Sequence, residues 1–264
     1  MATYLDEILN HHRVRAAADG RDWRERVAQA HSYAPSMIAA LSRTGSGNVK
    51  VIAEVKRRSP SKGWLHEDLD VAQLARRYAD GGASAISVLT DAEHFAGSLD
   101  DLEAAKRAVG LPLLRKDFTV CANDILDAAD AGASAVLLIV AALSDDELES
   151  FIGLAHGAGL DAIVEVHDGD EAKRSLDSGA RIVGVNQRNL HTFDVDRDHA
   201  ANVIQSLPGS IVSICESGLS SRADVERAAD AGFDAVLVGE AFVTAPDVTD
   251  TVRSFSSVPL VTRD

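Results

Sequence analysis

Carboxylates and ammonium groups recur at four points along the chain, each closing an apolar run: Glu54 with Lys56, then Lys116, then Glu165, then Glu216. Lys116 and Glu165 lie 49 residues apart, and Glu165 and Glu216 lie 51 apart. An ammonium close to carboxylates can give up a proton and the carboxylates can take one, so this set is suited to general acid–base chemistry. Burial discharges an ammonium and neighbouring carboxylates keep it charged, and the sequence leaves that balance open. Distant points can act together only if the fold brings them into one space. The alternative is a set of outward ion-pair partners, yet charged side chains are seldom buried without a partner or a function.

The elements that would gather them are visible as a repeat. "GGASAISVLT" begins at Gly81, "AGASAVLLIV" at Ala131, "SGARIVGV" at Ser178 and "AGFDAVLVG" at Ala231. Between them fall "NVKVIAEVK", "LPLLRKDF", "LDAIVEVHD" and "SIVSICESG". The intervening stretches, such as "DDELESFIGLAHGAG" and "SRADVERAADAG", have helical periodicity, with Asp or Ser near the start and Gly at the end. Eight strands each followed by a helix predict an α/β fold, a (β/α)8 TIM barrel whose site sits at the C-terminal ends of the strands. A doubly wound sheet is the alternative, weakened because no Gly-rich dinucleotide fingerprint follows the first strand. Even-numbered strands end apolar or neutral, whereas the odd-numbered strands carry the charges. A period of two puts Glu54 and Lys56 on one face, and in a barrel the inward positions of alternate strands share a layer.

A second cluster is cationic. "VIAEVKRRSPSKG" (51–63) packs four cations around Ser59-Pro60-Ser61 in a chain with 26 basic and 41 acidic residues. At physiological salt, charges beyond roughly 8 Å are largely screened, so local cations can hold an anion despite the net charge of −15. Barrels often bind phosphate at the loops after strands seven and eight. "ESGLSS" and "LVGEAF" stand there, making the amides of Gly218, Gly239 and Glu240 candidate donors. Ser59 lies next door if strands one and eight pair, with Lys56 adding charge. The Glu240 carboxylate must then point away. Arg57, Arg58 and Lys62 read as a solvated charge run.

The totals bound the rest. A chain of 264 residues, 46% apolar, suffices for one barrel domain. Cys121 and Cys215 read as free thiols in a reducing compartment rather than a disulfide framework. No run approaches the ~20 apolar residues of a membrane span, the first residues lack a signal-peptide layout, and the acidic balance disfavours nucleic acid. A cytoplasmic protein is expected. The nine histidines show no metal spacing, and His11-His12 reads as an exposed pair.

Taken in order, "IAEVKRRSPSKG", "ISVLTDAEHFAGSLDDL", "LLRKDF", "VLLIVAAL", "IVEVHD", "VGVNQRNLHTF", "ESGLSSRADV" and "VLVGEAF" resemble indole-3-glycerol phosphate synthase, across nearly all of residues 49–245. The resemblance implies a carboxy-lyase of tryptophan biosynthesis. It closes 1-(2-carboxyphenylamino)-1-deoxyribulose 5-phosphate to indole-3-glycerol phosphate with loss of carbon dioxide and water, using no cofactor or metal. It implies Lys116 as general acid and Glu165 as its acid–base partner with Glu54 beside it. Lys56 would hold the substrate carboxylate, Asn186 and Glu216 would orient the anilino nitrogen and sugar hydroxyls, and Arg188 would be a charged binding residue. Ser217, Gly218, Gly239 and Glu240 match the phosphate side. Phe95, Phe118, Leu138 and Leu190 match the anthranilate pocket, with ordinary core packing as the alternative.

The resemblance also implies that residues 1–48 form a helical extension over the mouth of a 49–264 barrel, with Leu5, Ile8 and Leu9 at helical spacing. Met37 stands where an aromatic is usual, and "TVCANDI" departs from the usual pattern after "RKDF". His167, two residues past Glu165, is expected to support that carboxylate rather than react. The expected partner is the anthranilate-derived sugar phosphate alone. Oligomeric state and association with other tryptophan-pathway enzymes are not readable from the sequence. Two rivals remain: a barrel aldolase using Lys116 as a Schiff-base amine, and a degenerate, non-catalytic barrel, which would have lost some of the six reacting residues.

Overall fold

Eight apolar segments at the predicted spacing form the parallel strands β1 (Lys50–Val55), β2 (Ala85–Leu89), β3 (Leu113–Lys116), β4 (Ala135–Ile139), β5 (Asp161–Val166), β6 (Ile182–Asn186), β7 (Val212–Glu216) and β8 (Ala235–Val238). The computed structural model describes residues 4–43, 47–60, 62–188 and 197–261. Each strand pairs with the next, and β8 closes on β1 through Lys50–Ala53 against Ala235–Val238. The barrel is therefore closed and has no open sheet edge.

Before the barrel come α1 (Tyr4–Ala18), α2 (Trp23–Arg26) and α3 (Met37–Leu41). The connections hold α4 (Val71–Asp80), α5 (Ala92–Phe95), α6 (Leu99–Ala108), α7 (Ala122–Asp130), α8 (Asp145–Gly157), α9 (Gly169–Asp177), α10 (Arg197–Ile204) and α11 (Arg222–Ala231). After β8 follow α12 (Glu240–Val243) and α13 (Val248–Ser256). Caps fix where helices begin: Ser144 with Glu147 and Ser221 with Asp224 form reciprocal capping boxes, each satisfying two otherwise orphaned backbone N–H groups.

Strand residues are buried on both faces, so the core has two layers. Outward side chains such as Val136, Leu138 and Val183 pack under the helices, while Ile52, Leu114, Leu137, Ile163 and Ile214 fill the barrel. The segment before β1 serves both ends. Met37 and Leu41 of α3 enter the inner cluster beside Ile52 and Ala85, and Asp161 at the start of β5 accepts from Ile38 N–H (3.0 Å). Fully buried Met37 is therefore the floor of the barrel. At the other end α1 is pinned across three loops. Arg13 pairs with Glu147 (2.6 Å) and donates to the carbonyls of Val120 and Ala142; Arg15 pairs with Asp124 (2.6 Å); His12 meets Asp91 (2.7 Å). His12 is thus buried, not an exposed partner of His11, because it lies on the inward face of α1. Among the described residues no helix is long and apolar enough to cross a membrane.

Two of the basic residues after β1 are structural rather than solvated. Arg57 pairs with Asp101 (2.5 Å) and donates to the Leu69 carbonyl; Arg58 donates to the carbonyls of Glu93 and His94 and lies over the Trp64 ring. They tie a short hairpin, Arg58–Ser59 against Gly63–Trp64, onto the loop after β2. Lys62 remains exposed and stands 3.7 Å from Glu240.

Candidate active site

The C-terminal ends of the strands surround a cavity of about 810 Å³, a size suited to one small molecule. The four charged points of the sequence converge in it. Lys116 Nζ donates to Glu165 Oε2 (3.3 Å) and lies 4.0 Å from Glu216 Oε2. Glu54 Oε1 pairs with Lys56 Nζ (2.5 Å), as the period of two requires. Asn186 Nδ2 donates to Glu165 Oε1 (3.0 Å), and its own oxygen accepts from the backbone N–H of Arg188. Register explains the convergence: Ile139 and Gly184 flank Glu165, and Asn186 and Leu237 flank Glu216.

Two inward glycines make room for these carboxylates. A Cβ at Gly184 would overlap Glu216 Oε1, and one at Gly239 would overlap Glu54 Oε1 and stand 3.0 Å from Lys56 Nζ. Gly184 escaped the sequence reading, although it sits two residues before Asn186 on the same face of its strand.

The environments push the groups apart. Burial favours the free amine of Lys116, but Glu165, Glu216 and Glu54 outweigh it and hold the ammonium well above its usual range. Burial raises the Glu165 carboxyl, yet Lys116, His167 and the Asn186 hydrogen bond bring it below its ordinary value. Burial and then the Glu165 carboxylate push Glu216 up to about 8 against the pull of Lys116. Near neutral pH the centre therefore holds an ammonium, a carboxylate and a neutral carboxyl. His167 sits behind, with Nδ1 3.2 Å from Glu171 Oε2 and Nε2 3.8 Å from Glu165 Oε1. Its burial lowers the imidazole, but the Glu171 hydrogen bond and Glu165 raise it above its usual value.

On the β7, β8 and β1 side of the mouth, Ser217, Gly218, Gly239, Glu240, Lys56 and Ser59 line the same cavity. Ser59 Oγ is buried and has no hydrogen-bond partner among the described residues. Ser217 (φ 69°) and Gly218 (φ 69°) both take the left-handed conformation, strained for the serine, and Ser217's carbonyl accepts from Gln187 Nε2 (2.8 Å). Arg188 also lines the cavity.

Phe95 and Phe118 form an aromatic wall, their ring centroids 6.3 Å apart. Leu138 does not join them. It packs outward under the helices, while its neighbours Leu137 and Ile139 face the cavity. An apolar run buried on both faces hides its parity; only the pairing of Ile139 with Glu165 sets it. Leu190 lies outside the described residues. From α1, Tyr4, Leu5 and Ile8 also border the cavity, as does Leu89 of β2. The helical spacing of Leu5 and Ile8 marked an apolar face, whereas nothing in the sequence marked Tyr4 or Leu89.

The chain is similar to known proteins over nearly its whole length. The family model for indole-3-glycerol phosphate synthase matches residues 5–255. The indole-3-glycerol phosphate synthase of Micrococcus luteus is 47% identical, covering 98% of this chain and 99% of its own. That of Mycolicibacterium vanbaalenii is 45% identical, covering 95% and 93%. Among solved structures, thiamine phosphate pyrophosphorylase from Pyrococcus furiosus superposes with a TM-score of 0.61 at 16% identity, covering 78% of this chain and 93% of its own. That likeness is one of fold alone. By the family model and by these relatives, the chain belongs to the indole-3-glycerol phosphate synthase family.

Proposed function

We propose that the barrel mouth performs the family's reaction through the residues gathered there. In this carboxy-lyase of tryptophan biosynthesis, 1-(2-carboxyphenylamino)-1-deoxyribulose 5-phosphate closes to indole-3-glycerol phosphate. The anthranilate ring carbon bearing the carboxylate attacks the ketone carbon, forming a carbon–carbon bond and an alkoxide. Lys116 protonates that oxygen. An alkoxide is a far stronger base than an amine, so an ammonium held protonated by its neighbours remains a competent donor. The carbon–carboxylate bond then breaks, carbon dioxide leaves, and its electron pair restores the ring. Loss of the hydroxyl as water forms the indole double bond; Glu165 takes a proton from the sugar-derived methylene beside the anilino nitrogen, and the Lys116–Glu165 pair returns one to the departing oxygen. Glu54 holds Lys56, whose ammonium binds the substrate carboxylate. Neutral Glu216 offers both a donor and an acceptor to the sugar hydroxyls, and Asn186 orients the anilino nitrogen while steering Glu165.

Phe95 and Phe118 take the aromatic ring, with Leu137 and Ile139 in place of Leu138. The amides of Gly218, Gly239 and Glu240, with Ser217 and Ser59, take the phosphate, and Arg188 adds positive charge. Residues 1–48 act as an extension of the 49–264 barrel, with α1 closing the mouth; the place of Tyr4, Leu5 and Ile8 along the cavity supports this. The reading keeps the cytoplasmic location, and the absence of nucleic-acid and membrane partners, expected from composition.

The observation that carries it is Lys116 between Glu165 and Glu216. A Schiff-base amine needs a depressed pKa, and these carboxylates do the opposite. The test is indole fluorescence on adding substrate to wild type and to Lys116→Ala. The variant should lose ~10²–10⁴-fold in kcat with KM much less changed. Near-normal turnover would show that another group is the acid, and covalent trapping by borohydride would favour the aldolase.

A further inference from the structure

Beside the aromatic wall, His12 of α1 meets the loop after β2. His12 Nε2 lies 2.7 Å from Asp91 Oδ2, and His94 Nδ1 lies 3.2 Å from the same oxygen. All three atoms fall within 4.8 Å of one another. Asp91 is fixed in place, because its other oxygen accepts from the backbone N–H groups of His94 (2.6 Å) and Phe95 (3.2 Å) and so caps α5. His12 and Asp91 are buried, while His94 reaches the edge of the cluster with its side chain 15% exposed.

Two imidazole nitrogens aimed at one carboxylate oxygen are joined to it either by an N–H from each ring or by one metal ion shared among the three atoms. His12 Nδ1 is buried, has no hydrogen-bond partner among the described residues, and faces Asp117 Oδ1 at 3.9 Å. Asp117 is itself held as a carboxylate by Arg115 (2.8 Å) and Thr90 (2.6 Å). When an ion replaces the proton on Nε2, Asp117 is the carboxylate that faces Nδ1–H from behind, the arrangement that orients metal-ligating histidines. Around the cluster stand the rings of His11 and Tyr4, edge-on to His94 at 5.8 and 6.0 Å, and Arg58, turned onto the carbonyls of Glu93 and His94.

We propose that His12 Nε2, Asp91 Oδ2 and His94 Nδ1 form a binding site for a divalent transition metal, zinc by preference, that ties α1 to the loop after β2. Zinc takes imidazole and carboxylate ligands at ~2.0–2.2 Å, which sets neighbouring ligands of a tetrahedron roughly 3.4 Å apart. The two spacings to Asp91 Oδ2, 2.7 and 3.2 Å, fall short of that value by a few tenths of an ångström, so small ring movements would seat the ion, with water in the fourth position. Two imidazoles and one carboxylate suit zinc, cobalt or nickel, whereas calcium and magnesium prefer all-oxygen sets. Sequence spacing could not reveal the site, because His12 and Asp91 are 79 residues apart. The Phe118 ring lies against His12, with centroids 5.4 Å apart, and Phe95 follows His94. The ion would therefore stiffen α1 against the aromatic wall without touching the reacting groups.

The experiment uses the full chain, stripped with a chelator and titrated with zinc by calorimetry and with cobalt by visible absorption. We expect one ion per chain, proton release on binding, and the absorption of four-coordinate cobalt. His94→Gln, which alters a ring at the cluster's edge, and His12→Gln should each weaken binding at least ~10-fold. His11→Gln should bind as wild type does. Absence of saturable zinc binding, or binding unchanged in both His94→Gln and His12→Gln, would overturn the proposal and leave a proton-only network.

Discussion

Glu216→Gln offers a direct reading of the charge distribution in the mouth. The Glu216 carboxyl is pushed up to about 8 by burial and by Glu165, from an ordinary 4.5. Its folded value exceeds its unfolded value, so the folded chain binds a proton that the unfolded chain has already released. Below about pH 4.5 both states are protonated and the group has no effect on stability. As pH rises from there, the unfolded state gains progressively, and above pH 8 the penalty is constant. A gap of about 3.5 at ~1.36 kcal/mol per pH unit caps it at about 5 kcal/mol, and water entry into an open mouth reduces this to a few. Glutamine keeps the shape and stays neutral, so it escapes the penalty. At ~2–4 °C per kcal/mol, the variant should match wild type in Tm at pH 5 and exceed it by about 5–10 °C at pH 9. Differential scanning fluorimetry of both proteins from pH 5 to 9 measures this. A Tm difference that stays flat with pH would refute the reasoning, because Glu216 would then ionise normally. Because the amide also offers a donor and an acceptor to the sugar hydroxyls, the same variant should lose far less turnover than Lys116→Ala, measured by indole fluorescence.

Gly184→Ala, which places a methyl on the Glu216 carboxylate, should cost ~1–3 kcal/mol of stability by overpacking and lower kcat by ~10²-fold by displacing that group, measured by thermal melts and indole fluorescence. Ser59→Ala should raise KM ~10–100-fold with kcat little changed, from loss of a charge-assisted hydrogen bond to phosphate worth ~1.5–3 kcal/mol. Because the hydroxyl has no partner among the described residues, its Tm should not fall. Met37→Ala should cost ~2–5 kcal/mol in urea unfolding while leaving KM unchanged, since the cavity opens at the floor.

The barrel and its charged layer were legible because two periods coincide in the sequence. The repeat counts strands, and the alternation within a strand sets Glu54 and Lys56 on one face. What escaped depended on three-dimensional register or on contacts distant in sequence. The resemblance gave Leu138 to the pocket, and a strand buried on both faces has no polar residue to betray its parity and correct this. Arg57 and Arg58 read as a solvated run because most of their acceptors, Asp101 and the carbonyls of Glu93 and His94, lie about 35 to 45 residues downstream. His12 read as exposed because the unremarkable mean hydropathy of its neighbours concealed an inward face built from ion pairs with three loops. Gly184 was overlooked because a residue whose function is to leave space makes no chemical statement of its own.

The division of labour between the strands has a consequence for how such a site can change. Odd strands supply the ionisable groups, and even strands supply, apart from Asn186, a neutral lining of Leu89, Leu137, Ile139 and Leu237. Each neutral position is hydrogen-bonded through its backbone to a charged strand, yet its side chain holds no proton and pairs with no ion. Exchange of one apolar residue for another there can reshape the slot while the charge balance around Lys116 stays as it was. Substrate preference and proton transfer are thus separable in inheritance: the even strands can drift toward a larger or differently substituted ring, and the odd strands can remain fixed.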